Sequence, residues 1–104
     1  MLKKGNGIKM NQKQIIKKIE GEKPELKKLG VKKIGLFGSF IKGKQTKKSD
    51  VDVLVTFEKI EFDGYMEVLS LLERLFKRKV DLVIEKNLVP ELKYVRKEAK
   101  YVEL

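Results

Sequence analysis

Gly38-Ser39-Phe40-Ile41-Lys42-Gly43-Lys44-Gln45-Thr46-Lys47-Lys48-Ser49-Asp50-Val51-Asp52 carries most of what this chain discloses about its fold and chemistry. Before it lies Val31–Phe37 and after it the apolar run 53–57, so a glycine-serine turn follows one apolar segment and a carboxylate pair opens the next. Both flanks are short, β-prone and bounded by turn residues, which predicts strands over 31–37 and 50–57. Between them Ser39 can begin a helical turn over 39–42 that Gly43 ends, with polar 44–49 as the return loop.

Side chains two apart in a strand share a face and lie about 7 Å apart, so Asp50 and Asp52 project together. Two such carboxylates repel unless something neutralises them, and a divalent cation does so. Gly38 permits close backbone approach, Ser39 offers a hydroxyl and an N–H beside other free amide donors, and Lys42 adds a cation one turn on. A helix N-terminus of this kind is a natural phosphate site. It is not a Walker loop: Gly38, Gly43 and Lys44 have the spacing, but Gln45 stands where a hydroxyl residue belongs. Taken alone, Gly38-Ser39 is also a tight turn, and Asp50-Val51-Asp52 a solvated acid pair. The third acid shifts that balance. Asp81 interrupts the apolar run Val80–Ile84, where a carboxylate without a partner is costly. If that strand lies beside 50–57, Asp81 joins Asp50 and Asp52.

Composition narrows the chemistry further. The chain has no Cys and no His, which excludes disulfides, thiolate nucleophiles, histidine triads and the usual zinc sites. Carboxylates remain as metal ligands, and oxygen-only ligation suits a hard ion such as Mg²⁺. Twenty-five Lys and Arg against fifteen Asp and Glu give a net charge of +10, which favours phosphate-bearing or acidic partners, or simply solubility. The lysines are spread along the chain without interleaved aromatics, so a basic nucleic-acid-binding protein is supported by charge alone. No apolar run approaches the roughly 20 residues of a membrane span, and the N-terminus lacks a signal-peptide core. A cytoplasmic protein with no membrane partner is expected.

At 104 residues one domain spanning 1–104 is expected. Residues 1–10 read as a flexible arm. Asn11 can cap a helix carrying Ile15, Ile16 and Ile19 on one face and ending at Gly21. Pro24 suits the first turn of a short helical piece through Leu29. Residues 58–64 read as a loop. Tyr65, Val68, Leu69, Leu72, Leu75 and Phe76 then recur at helical spacing, the clearest period in the chain. Val80–Ile84 is a strand, and Pro90 opens a tail helix with Leu92, Val95 and Ala99 on one side. This order predicts an α/β (α+β) domain with a small sheet of three or four strands and flanking helices. Tyr65 and Tyr94 could be modification sites or interface anchors; core and surface positions are the simpler readings. No residue reads an adenine edge recognisably.

Gly38-Ser39, ten intervening residues, Asp50-Val51-Asp52 and Asp81 on a later strand resemble the signature of the DNA polymerase β-type nucleotidyltransferase superfamily. More narrowly, 31–84 is similar to the minimal nucleotidyltransferases, the MntA-like antitoxins paired with HEPN-domain toxins. The resemblance implies a small mixed sheet, Mg²⁺ (two ions) on Asp50 and Asp52, and ATP phosphates at Gly38, Ser39 and Lys42. It implies that Asp81 helps bind metal or activates the attacking hydroxyl. Many relatives carry Arg where this chain has Phe40 and Lys42; Lys42 keeps the charge but not the bidentate fork. The implied reaction moves AMP from ATP to a tyrosine of a HEPN toxin and silences it. An inactive domain of the same fold that neutralises its partner by contact alone is the alternative within the family.

Overall fold

The structure is a computed structural model describing residues 11–44, 46 and 49–104; the arm expected over 1–10 lies outside them. Its elements are helices α1 (Gln12–Glu20) and α2 (Lys23–Lys28), strand β1 (Val31–Phe37), the one-turn helix α3 (Ser39–Lys42) and strand β2 (Val51–Phe57). Helix α4 (Phe62–Phe76) and strand β3 (Val80–Ile84) follow. Two 3-10 turns (Glu85–Asn87 and Pro90–Leu92), helix α5 (Val95–Glu98) and strand β4 (Lys100–Glu103) complete the chain.

Asn11 caps α1 as its sequence suggests. Its Oδ1 accepts from the Gln14 N–H at 2.9 Å while the Asn11 N–H donates to Gln14 Oε1 at 2.9 Å, so two otherwise orphaned donors are satisfied reciprocally. Helix α4 starts at Phe62, inside the expected 58–64 loop. Phe62 is 77% exposed and Gly64 is a poor helix former, so neither contributes to the apolar period that marks the rest of the helix.

The four strands form one mixed sheet in the order β3-β2-β1-β4. β1 pairs antiparallel with both β2 and β4, whereas β3 runs parallel to β2. A parallel pair needs a crossover, and α4 provides it. One sheet face carries Ile34, Leu36, Val53, Val55 and Leu82, buried against Ile15, Ile19, Leu26, Val68, Leu72 and Phe76 of the helices. The other carries Leu54 with Phe37, Val83 and Tyr101, and is only partly covered, by Leu88, Val95 and Ala99.

That second cover corrects the tail. Instead of one helix from Pro90, residues 85–99 fold as short turns across the open face, and 100–103 add the edge strand β4, with Tyr101 paired to Gly35. A Cβ on Gly35 would lie 2.7 Å from the Tyr101 ring, so the glycine makes room for the aromatic cover. Strand pairing and that ring contact override the helical spacing of Leu92, Val95 and Ala99.

The helical face supplies most of the core. Leu72 is fully buried, so Leu72→Ala is expected to lower the unfolding free energy by roughly 2–5 kcal/mol in urea denaturation.

Candidate functional site

Parallel pairing of β2 with β3 sets Val51 opposite Val80 and Asp52 opposite Asp81. Side chains alternate, so Val51 and Val53 enter the helix-covered core while Asp52 and Asp81 stand together on the less covered face. The strand carrying Asp81 thus lies beside β2, and Asp81 stands next to Asp52. Burial raises the Asp52 pKa above its ordinary 3.8, and the negative charges of Asp81 and then Asp50 raise it further, while a hydrogen bond from the Ser39 backbone N–H acts in the opposite direction. Asp50 lies just ahead of β2, solvent-exposed.

Gly38 belongs to the same cluster. Its φ of +75° places it in a region that L side chains avoid, and a Cβ there would meet Asp52 Oδ2 at 2.1 Å. Here glycine is required twice, for backbone conformation and for contact with a carboxylate. The structure also corrects one expectation: the Ser39 amide, read as a free donor, is already engaged with Asp52. Lys42 ends the single turn α3 and lines a cleft together with Gly38 and Asp81.

Thr46 and Ser49, ahead of Asp50, are held by a residue that the sequence reading did not single out. Arg78 Nη1 donates to the backbone oxygens of Ser49 at 3.1 Å and Thr46 at 3.3 Å, and its guanidinium sits 5.5 Å from the centroid of the Phe40 ring. The signal was available: only Arg74, Arg78 and Arg96 interrupt a lysine-rich chain, and Arg is the residue suited to forked or stacked contacts. Tyr65 takes the core position, its hydroxyl donating to the Leu82 carbonyl; burial, and secondarily the Asp81 charge, raise its pKa.

The cleft measures about 340 Å³ and runs from Gly38, Lys42 and Asp81 to a wall supplied by the 85–99 segment. One carboxylate anchors that wall. Glu85 Oε1 accepts from the Tyr101 hydroxyl at 2.8 Å and faces Lys33 Nζ at 3.8 Å, and Glu85 Oε2 lies 3.4 Å from Arg96 Nε. Burial and the hydrogen bond to Glu85 push the Tyr101 pKa up to about 12. Lys33 Nζ also lies 4.4 Å from the centroid of the Tyr101 ring, so β1 and β4 are cross-linked on the open face of the sheet. Sequence reading missed Glu85 because its partners come from β1, α5 and β4.

Among the described residues no group of three or more His, Cys, Asp or Glu side chains forms a ready-made metal cage. The facing carboxylates nevertheless suit an ion that takes only one or two protein ligands and completes its shell with phosphate and water, as Mg²⁺ does.

Residues 13–102 match the family model for the nucleotidyltransferase domain. The protein adenylyltransferase MntA of Thermococcus cleftensis is 39% identical over 87 residues, which cover 81% of this chain and 88% of the relative. Among solved structures, a protein assigned as a minimal nucleotidyltransferase superposes with a TM-score of 0.76 at 29% identity, covering 90% of this chain and 98% of that one. A chain of a toxin–antitoxin structure with AMP-PNP superposes with a TM-score of 0.62 at 26% identity, covering 88% and 72% respectively.

Two outcomes follow from the geometry. Between pH 3.8 and the raised Asp52 pKa the folded state holds more protons than the unfolded one, so stability falls as pH rises through that window. Asp52→Asn should therefore raise the melting temperature of the metal-free protein at neutral pH and lose that advantage below 3.8, as read in thermal melts across pH. Gly38→Ala should destabilise the fold by about 1–3 kcal/mol in urea denaturation, because its Cβ meets Asp52 in a left-handed backbone conformation.

Proposed function

This chain belongs to the nucleotidyltransferase domain family, and from that premise we propose that it is a Mg²⁺-dependent protein adenylyltransferase. Its substrate is ATP, its acceptor a tyrosine hydroxyl of a HEPN-type toxin, and its role that of the antitoxin. We treat 1–104 as a single domain, consistent with a family match over 13–102. The observation that carries the reading is the in-register pair Asp52 and Asp81, with Asp52 against Gly38 and Asp81 lining one cleft with Gly38 and Lys42. Similarity to MntA and to the toxin–antitoxin structure supports the adenylyl donor and the class of partner.

Asp50, Asp52 and Asp81 are the residues that would hold Mg²⁺; bound there, the ion supplies neutralisation of the triphosphate and of the charge that develops on the departing pyrophosphate. The Gly38-Ser39 turn and Lys42 hold the β- and γ-phosphates, the serine through its hydroxyl and the lysine as a point charge. The acceptor hydroxyl oxygen attacks the α-phosphorus, a new O–P bond forms as the bond to the β-phosphate oxygen breaks, and pyrophosphate leaves. Asp81 takes the hydroxyl proton, so no covalent enzyme intermediate is needed. Arg78 contributes at one remove, holding the loop that presents Asp50.

The test is transfer of label from α-labelled ATP to the co-expressed partner. Native protein with Mg²⁺ should label the partner; chelation of the metal, or Asp50→Asn with Asp52→Asn together, should abolish labelling. Asp81→Asn should slow it by about 10²–10⁴-fold. Equal labelling by native and double-variant protein would sink the transferase reading. A double variant that no longer labels the partner yet neutralises it fully would favour the contact-only module.

A further inference from the structure

Resting on the transferase reading, we propose that the 85–99 segment forms a nucleobase subsite in which Tyr94 stacks on the base and the Asn87 carboxamide selects adenine. Large exposed apolar side chains are few among the described residues, and they fall into two groups. Ile60, Phe62 and Met66 cluster at the start of α4, whereas Val89, Leu92 and Tyr94, at 51%, 43% and 50% exposure, all line the acid-bearing cleft. Apolar surface left in water beside a phosphate-binding turn calls for a ligand that is apolar at one end and anionic at the other. A nucleoside triphosphate has that form, and one cleft holds both the Gly38 and Lys42 end and the apolar wall.

A base presents flat apolar faces and a polar edge. The wall matches both. Tyr94 supplies a half-exposed ring, and stacking of this kind is tolerant of base identity. Selection must come from the edge, and Asn87 brings the only neutral carboxamide on the lining, a donor and an acceptor side by side. That pair matches adenine, which offers an amino donor next to a ring-nitrogen acceptor, and mismatches guanine, which offers two acceptors on the corresponding edge. Glu98, also on the lining, accepts hydrogen bonds and so favours the adenine amino group over a carbonyl. The wall is held firmly enough to read a base. Asn87 closes the 3-10 turn that begins at Glu85, whose carboxylate is held by Tyr101, Arg96 and Lys33, and Leu88 and Val95 pack on Leu54 beneath it.

The experiment is calorimetric titration of the full chain, with Mg²⁺ and without acceptor, using ATP, GTP and tripolyphosphate. Tripolyphosphate carries the phosphate contacts without a base. Tyr94→Ala should weaken ATP about tenfold while leaving tripolyphosphate unchanged, and Tyr94→Phe should retain ATP. Asn87→Leu should narrow the preference for ATP over GTP, again without affecting tripolyphosphate. The subsite is overturned if the variants leave ATP affinity and the ATP-to-GTP ratio as in the native chain, or if they weaken tripolyphosphate as much as ATP. Native protein that binds neither ATP nor tripolyphosphate would overturn the transferase reading, and the subsite with it.

Discussion

Asp52 and Asp81 stand side by side on adjacent parallel strands, two like charges held together by backbone register. Neither can move away without breaking the β2–β3 ladder, and burial adds to their mutual repulsion at Asp52. Much of the surrounding structure serves to maintain this pair. The crossover helix α4 makes the strands parallel, and its last turns help to fix the entry to β3, where Glu73 accepts from the Val80 N–H at 3.1 Å. The Val51 N–H donates to the Lys79 carbonyl at 3.0 Å at the matching end of β2. On the β1 side the chain turns through a glycine because a side chain there would collide with Asp52. An arrangement that concentrates negative charge at a rigid position is unfavourable for the isolated fold and suited to a cationic ligand.

The same sheet has two unlike faces. One is sealed by α1, α2 and α4; the other is partly open, and the tail crosses it without forming a second layer of regular structure. Short turns, anchored through Glu85 to β1, β4 and α5, supply a wall in its place. The edge strand thus does more than extend the sheet: Tyr101 covers Gly35 and holds Glu85, connecting sheet geometry to the cleft.

How much of this could be read in the sequence depends on the range of the interactions involved. Asn11, the apolar period of α4 and the short β-rich runs are local signals, and each gave the right element. Asp81 was legible at long range because a carboxylate in an apolar strand is conspicuous without knowledge of its neighbour. The tail was not, since Leu92, Val95 and Ala99 have helical spacing and nothing nearby announces that Tyr101 will pair with Gly35. Arg78 reaches across 29 and 32 residues to Ser49 and Thr46, and Tyr101 across 16 to Glu85. Only the type of residue, an arginine in a lysine-rich chain, hinted at the first of them.

Paramagnetic Mn²⁺, a spectroscopic stand-in for Mg²⁺, offers the most direct measurement of whether the facing acids hold a cation for nucleotide chemistry. Electron paramagnetic resonance can follow free Mn²⁺ as native protein, or its Asp81→Asn variant, is titrated with a non-hydrolysable ATP analogue present. Native protein should remove the free-ion signal, and the variant should bind the ion about tenfold or more weakly. Equal uptake by the two proteins, or none by the native one, would contradict a cation site at the facing acids.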